Sequence, residues 1–157
     1  MFLILLVLTL TGAVVHSLRL ENRTTARIGE VVLRWVLVGY CGLPMLVVAV
    51  GTLADPDRVA SVLGFAAGNP FELFLGWAYL GMAVIAVLAL RFGGAYLIGP
   101  ALVWAVFFVG ATGIHRAQAL SGGVSHGGLL SVFATHGLIS VVLGGALVAS
   151  GVWRRPG

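Results

Sequence analysis

The sequence predicts an all-α integral membrane protein, a single domain over residues 1–157 in which five transmembrane helices form a bundle. Hydrophobic residues make up 60% of the chain and charged residues only 9%, whereas soluble domains are about one quarter charged. A water-soluble protein of this size could not bury so much apolar surface. The composition also excludes an intrinsically disordered chain, and the single cysteine excludes a disulfide-stabilised one.

Five apolar segments are long enough, or nearly long enough, to cross a bilayer, which takes about 20 residues of α-helix. Each is predicted to be helical, because an open sheet or a loop cannot satisfy its backbone polar groups in lipid. The segments are residues 2–18, 35–53, 71–90, 95–114 and 129–152. The first could also be a signal peptide, but no basic residue precedes Arg19 and no cleavage site follows, which favours a retained helix.

The connection between the second and third spans predicts a short interfacial helix over residues 56–64. Asp55 and Pro56 are residue types preferred at the N-cap and in the first turn of a helix. Three further prolines mark structural positions beside or within the spans, namely Pro44, Pro70 and Pro100. The first and third lie inside predicted spans, where proline removes a helical hydrogen bond, so we expect kinks in the second and fourth helices.

Small residues predict where the helices pack closely, because close contact in lipid depends on small side chains rather than on a hydrophobic driving force. Small residues spaced four apart occur in the fourth and fifth spans, as Ala101/Ala105, Ser140/Gly144 and Gly145/Ala149. We expect these faces to join helices of one bundle rather than to form a dimer interface.

The distribution of arginine predicts the orientation of the protein. All nine basic residues are arginine, and seven of them fall on one side of the predicted spans. This group comprises Arg19, Arg23, Arg27, Arg34, Arg91, Arg154 and Arg155. The positive-inside rule places these seven in the cytoplasm, with the N-terminus outside and the C-terminus inside. Lysine-free usage is typical of a GC-rich bacterial genome, so we expect a multi-pass protein of the bacterial inner (plasma) membrane.

Polar side chains at membrane depth are costly and are therefore candidate functional residues. Several of them gather at the outer side of the predicted bundle, namely Glu72, His115, His136, Asp57 and His126. They could relay protons, hold a divalent metal or ligate a haem. The predicted depths of His115 and His136 differ by about two helical turns, which fits haem poorly. A structural alternative has Glu72 capping its helix or pairing with Arg116, and His136 donating to a neighbouring carbonyl.

The sequence favours a non-enzymatic protein that binds a lipid-like or hydrophobic ligand or partner helices, although it leaves catalysis open. It contains no nucleophile elbow, phosphate loop or metalloprotease helix. We expect no cofactor unless the outer site holds a metal or haem. Membrane lipids and a second copy of the chain are the expected partners, whereas nucleic acid is not, since the arginines lie between apolar runs. An oligomeric transporter or channel ranks last, because no inverted repeat is visible.

Three stretches of the chain resemble a family of small prokaryotic membrane proteins, domain of unknown function 6790. They are residues 57–60 (DRVA), 68–72 (GNPFE) and 110–118 (GATGIHRAQ). The resemblance covers roughly residues 20–120 and implies four or five transmembrane helices with no established activity. It marks Pro70, Glu72 and His115, but Glu72 stands where the family usually has Gln, and Phe74 where it has Glu. Ile114-His115 replaces the usual Gly-His pair.

A shorter similarity links residues 56–61 to one loop-to-helix segment of Insig-like sterol-regulatory membrane proteins. That similarity covers only a few residues. It implies a lipid- or sterol-sized cavity between the helices.

Overall fold

Helices are the only regular secondary structure in the residues that the computed structural model describes, which are 2–63, 68, 70–120 and 133–154. We number the α-helices in chain order. They are α1 Phe2–Leu18, α2 Thr25–Ala54, α3 Pro56–Leu63, α4 Pro70–Val87, α5 Ile98–Leu120 and α6 Leu138–Ser150. Short 3₁₀ turns continue α4 at Leu88–Leu90, lead into α5 at Gly94–Leu97 and follow α6 at Val152–Arg154.

Among the described residues, three helical segments are long and apolar enough to cross a membrane, namely Thr25–Ala54, Pro70–Leu90 and Gly94–Ala117. Both α1 and α6 are apolar as well but shorter. Large apolar side chains cover the outside of the bundle, and Phe74 on α4 is 79% exposed. Lipid rather than water suits such a surface. The described part of the chain is therefore all-helical, and its long apolar helices indicate a membrane protein, as the composition predicts.

The start of α2 differs from the sequence prediction, because the helix begins at Thr25 rather than at residue 35. The side chain of Thr24 caps this end by accepting the backbone N–H of Arg27 at 3.3 Å. The first eleven residues are strongly amphipathic, and their buried positions are Gly29 and Leu33. A hydropathy profile misses such a segment because the residues on its polar face lower the mean hydropathy of the segment. Arg27 and Arg34 consequently lie on a helix and not in a loop.

A π-helical segment, Val36–Gly42, interrupts α2 where the sequence predicts a kink. At its end the N–H of Leu43 bonds to the carbonyl of Val38, five residues back. The next residue, Pro44, has no N–H to donate. The wider turn accommodates this missing donor, and π-helical turns of this kind are a known cause of helix bending.

The ends of α3, α4 and α5 can be compared with the helix bounds that the sequence predicts. The Asp55 carboxylate accepts the N–H of Arg58 at 3.1 Å and so caps α3, as expected. Pro70 is the first residue of α4, and Pro100 lies in the first turn of α5, a position that tolerates proline. The predicted end of the fourth span at residue 114 is wrong, because α5 continues to Leu120. Within the fifth predicted span, residues 129–132 lie outside the described part of the chain.

The long helix α2 is the central element of the bundle. Its first half packs against α6 and its second half against α4, while α1 lies along the middle and α6 packs on α5. Trp104 of α5 is completely buried, and its indole N–H donates to the carbonyl of Met82 on α4 at 3.2 Å. The hydroxyl of Tyr40 on α2 donates to the carbonyl of Thr135 at 3.2 Å. These two bonds tie α4 to α5 and α2 to the segment before α6.

Two helices approach each other closely at Gly29 of α2. A Cβ there would lie 2.5 Å from the backbone nitrogen of Ser150 and 2.9 Å from the carbonyl carbon of Ala149. Of the small residues predicted to pack closely, Ala149 meets α2 here and Ser140 donates to the carbonyl of Ala105 at 3.5 Å. The expected contacts of Gly144 and Gly145 are wrong, since a Cβ at either position meets nothing within 4 Å. The small residue that permits close packing is Gly29 on α2. The hydropathy profile did not show that α2 begins early enough to include it.

Candidate functional site

Glu72 lies in the first turn of α4 and is completely buried, with 0% exposure. One turn further along, Gly76 brings the same face of α4 against α2, where a Cβ would lie 2.8 Å from Leu53. Neither carboxylate oxygen of Glu72 has a hydrogen-bond partner. The expectation that Glu72 caps its helix or pairs with Arg116 is therefore wrong, and Arg116 itself is exposed.

The rings of His115 and His136 stack on each other, with centroids 5.8 Å apart and planes 24° apart. The His136 ring also contacts Phe108 of α5, at 5.3 Å between centroids. The predicted separation of about two turns is therefore wrong. His115 lies inside α5 because that helix runs on to Leu120, and His136 belongs to a π-helical segment, Phe133–Gly137. The Nδ1 atom of His115 is buried and has no hydrogen-bond partner.

This stacking does not suit a haem held between the two histidines. Axial imidazoles bind iron through ring nitrogens from opposite faces of the macrocycle, whereas stacked rings meet face to face. For a metal ion, the described residues contain no group of three or more His, Cys, Asp or Glu side chains that could hold one. His126, the remaining predicted histidine, lies outside the described residues.

Asp57 has a structural contact rather than a place beside Glu72. Its carboxylate accepts the N–H of Gly68 at 2.7 Å, across the connection between α3 and α4. Gly68 has a φ of 79°, a conformation that favours glycine. The bond therefore fixes the point at which the chain turns towards α4.

The contacts between α4 and α5 set their relative depth. Tyr79 faces Phe107, with ring centroids 5.9 Å apart, and Met82 faces Trp104. In this antiparallel pair, each step towards the start of α4 matches one step towards the end of α5. The same register pairs position 72 with position 114, so Glu72 and His115 lie within about one residue of the same depth. We call this part of the bundle the Glu72 end.

A groove whose position the sequence did not indicate opens at the opposite end, between α1, α2 and the end of α4. Its volume is about 430 Å³, and its lining is mainly apolar. We call it the arginine groove, after the side chain at its polar mouth. It is lined by residues that include His16, Arg34, Trp35, Val38, Leu43 and Leu90.

The mouth of the arginine groove is held by polar contacts between helices. The indole N–H of Trp35 meets Nδ1 of His16 at 3.1 Å, and the Trp35 ring lies over Gly12, where a Cβ would be 2.5 Å away. Arg34 forms an ion pair with Glu30 at 3.0 Å. Two adjoining depressions, of about 560 and 270 Å³, add Arg19 and Arg27 to the polar rim.

Predicting residues 25–35 as a helix would have revealed part of this rim. Arg27 and Arg34 are seven residues apart, so they share one helix face with Glu30 between them. The contribution of His16, which is distant in sequence, leaves no signal in the sequence.

The family model described as "Family of unknown function (DUF6790)" matches residues 1–154. The chain belongs to the DUF6790 family. The match is longer than the stretch that the sequence motifs suggest and includes both the Glu72 end and the arginine groove. No curated protein and no solved structure matches the chain, so the Insig-like similarity stays an expectation.

In this DUF6790 protein the two candidate sites differ in chemistry. The Glu72 end combines a buried acid and two imidazoles, groups that exchange protons. The arginine groove combines an apolar wall with guanidinium groups, which bind carboxylates and phosphates. The first suits a small ion such as a proton, and the second suits an amphiphilic molecule.

Proposed function

We propose that this DUF6790 protein is a multi-pass protein of the bacterial plasma membrane that binds an anionic amphiphile in the arginine groove. The observation that carries the proposal is an apolar groove of about 430 Å³ with Arg34 in its lining. Ligand pockets of proteins span roughly 300–1,000 Å³, so the groove has the size of a small-molecule site.

The chemistry of the groove favours a ligand with an acyl chain and an acidic headgroup. Val38, Leu43 and Leu90 offer the chain an apolar wall. The guanidinium of Arg34 has several donors in one plane, and its Nη2 already binds the Glu30 carboxylate. Arg19 and Arg27 in the adjoining depressions raise the positive charge of the rim. Basic pockets beside apolar helices are typical binding places for anionic lipid headgroups.

The proposed topology has five spans, with the N-terminus outside and the arginine groove on the cytoplasmic side. The 17 residues of α1 extend about 26 Å, close to the roughly 30 Å of a hydrocarbon core. The excess of arginine at the ends of α1 and α4 supports this orientation.

Cysteine labelling in intact cells tests this topology. Cys41 is completely buried, so the maleimide should react only with the cysteine that each variant introduces. We expect a membrane-impermeant maleimide to label Ser61→Cys in intact cells and Glu21→Cys only after lysis. The opposite pattern would reverse the orientation.

Lipid analysis of the purified protein tests the ligand. In mild detergent, native mass spectrometry should find one acidic lipid or fatty acid bound to the wild type. A hydrogen bond to a charged group contributes about 1.5–3 kcal/mol, so Arg34→Gln should weaken binding about tenfold or more. Arg91→Gln is the matched control, because Arg91 is an exposed arginine that is absent from the groove lining. Equal retention of the lipid by both variants would refute the site.

A further inference from the structure

We propose that Glu72 and His115 form an internal proton-binding site, which is separate from the arginine groove and does not depend on it. Glu72 holds the proton as a neutral carboxylic acid, and His115 is the group that exchanges it. Glu72 lies on α4 and His115 on α5, both at the Glu72 end of the bundle.

The burial of Glu72 sets its protonation state. The side chain is completely buried, and neither oxygen meets a hydrogen-bond donor. An ionised carboxylate without a donor or a counter-charge is strongly disfavoured in such a place, and the neutral acid is the form that burial tolerates. The neutral acid also carries an O–H group, which makes it a hydrogen-bond donor.

The register of α4 and α5 brings an acceptor to the same depth. Within the described part of the chain, the buried side-chain polar atoms without a partner all belong to Glu72 and His115. The imidazole Nδ1 of His115 can accept the proton that the Glu72 acid donates. Among the described residues no ion pair within 4.0 Å joins the two side chains, so the proposed proton transfer requires at least one bridging water.

His136 limits the site to a single proton. Its ring stacks on that of His115 at 5.8 Å, so charging both rings would place two positive charges side by side.

Within the described part of the chain, no ion pair joins Glu72 to a basic side chain. The part of α2 that packs on α4, Leu43–Ala54, carries no titratable side chain. Tyr79, on α4 itself, lies within electrostatic reach of Glu72. Other charged or titratable groups on the elements packed at this end, or directly before them, are Asp55, Asp57, Arg58, Arg116 and His136.

Labelling with dicyclohexylcarbodiimide in lipid nanodiscs tests whether Glu72 is a protonated acid. The carboxyl proton moves to a nitrogen of this apolar reagent, and the oxygen adds to its central carbon. We expect one adduct per chain, located at Glu72 by mass spectrometry and lost in Glu72→Gln. Glu30→Gln is the matched control, because Glu30 is a partly buried glutamate in an ion pair, and this variant should label like the wild type. A wild type that shows no adduct at Glu72 would overturn the proposal.

The pH dependence of the same labelling tests the role of His115 over roughly pH 5 to 9, the range around histidine titration. In the wild type, labelling should fall with rising pH at one midpoint. In His115→Asn, that midpoint should move by at least about one pH unit, since the exchanging base is gone. An unchanged midpoint would show that Glu72 holds its proton without His115 and would refute the paired site. The helical circular dichroism of each variant should match that of the wild type.

Discussion

The substitution Gly29→Ala tests the packing of α2 against α6. A Cβ at this position would lie 2.5 Å from the backbone nitrogen of Ser150 and 3.0 Å from the carbonyl oxygen of Ala146. Ordinary contacts of a Cβ begin near 3.4 Å, so the two helices must separate by about 0.9 Å. The obstructing atoms belong to the backbone of α6, and no side-chain rotation can relieve the clash.

The cost follows from the size of this separation. A gap of 0.5–1 Å removes roughly a quarter to a half of the dispersion energy of the affected contacts. Forcing an extra methyl group into a well-packed site typically costs about 1–3 kcal/mol. Alanine also favours the helix by about 1 kcal/mol over glycine. The net loss of unfolding free energy for Gly29→Ala should therefore be about 1 kcal/mol, within a range of about 0–2 kcal/mol.

Gly145→Ala is the matched control, because a Cβ at Gly145 meets nothing within 4 Å. Both variants make the same chemical change in a helix, so the gain in helix propensity cancels between them. Their difference isolates the steric cost, about 2 kcal/mol or roughly 30-fold in the unfolding equilibrium. Equilibrium unfolding in mixed micelles with sodium dodecyl sulfate, followed by tryptophan fluorescence, measures it. Equal stability of the two variants would refute the close contact at Gly29.

Three further substitutions test other contacts in the same unfolding assay. Tyr40→Phe removes the hydrogen bond to the Thr135 carbonyl and should cost about 1 kcal/mol; an unchanged midpoint would contradict that bond. Trp104→Ala removes a completely buried ring and its bond to Met82, and should cost about 3–5 kcal/mol; a loss below about 1 kcal/mol would place this ring outside the core. Gly151→Ala should cost about 1 kcal/mol, because Gly151 ends α6 with a φ of 59°; a neutral effect would argue against this left-handed end.

The helical bundle could be predicted from composition. In lipid, a single apolar segment can hydrogen-bond all of its backbone N–H and C=O groups only by forming a helix. The bounds of α1 agree with the prediction for the same reason, since the whole segment is apolar. The start of α2 could not be found from hydropathy, because Arg27, Glu30 and Arg34 lower the average while Leu33 of the same helix is buried. That half of α2 is stabilised by its contact with α6, which is more than one hundred residues away.

The candidate site residues were predictable by type but not by arrangement. Glu72, His115 and His136 stand out because ionisable side chains are rare in apolar helices. Their arrangement depends on where α5 ends and on the π-helical segment before α6, and neither follows from the hydropathy profile. The arginine groove was missed because His16, Arg34 and Leu90 come from three helices that only the folded chain brings together.

The π-helical segment of α2 has a consequence for comparing members of the family. A hydrogen bond that reaches five residues back encloses one residue more than the four-residue bond of an α-helix. Deleting a single residue from Val36–Gly42 would restore an ordinary α-helix and leave the two halves of α2 facing the same neighbours, because the wider turn holds the extra residue locally. Insertions and deletions normally fall in loops. In relatives of this protein a one-residue gap is to be expected inside this membrane helix, and an alignment that moves the gap to the next loop would misplace every position between them.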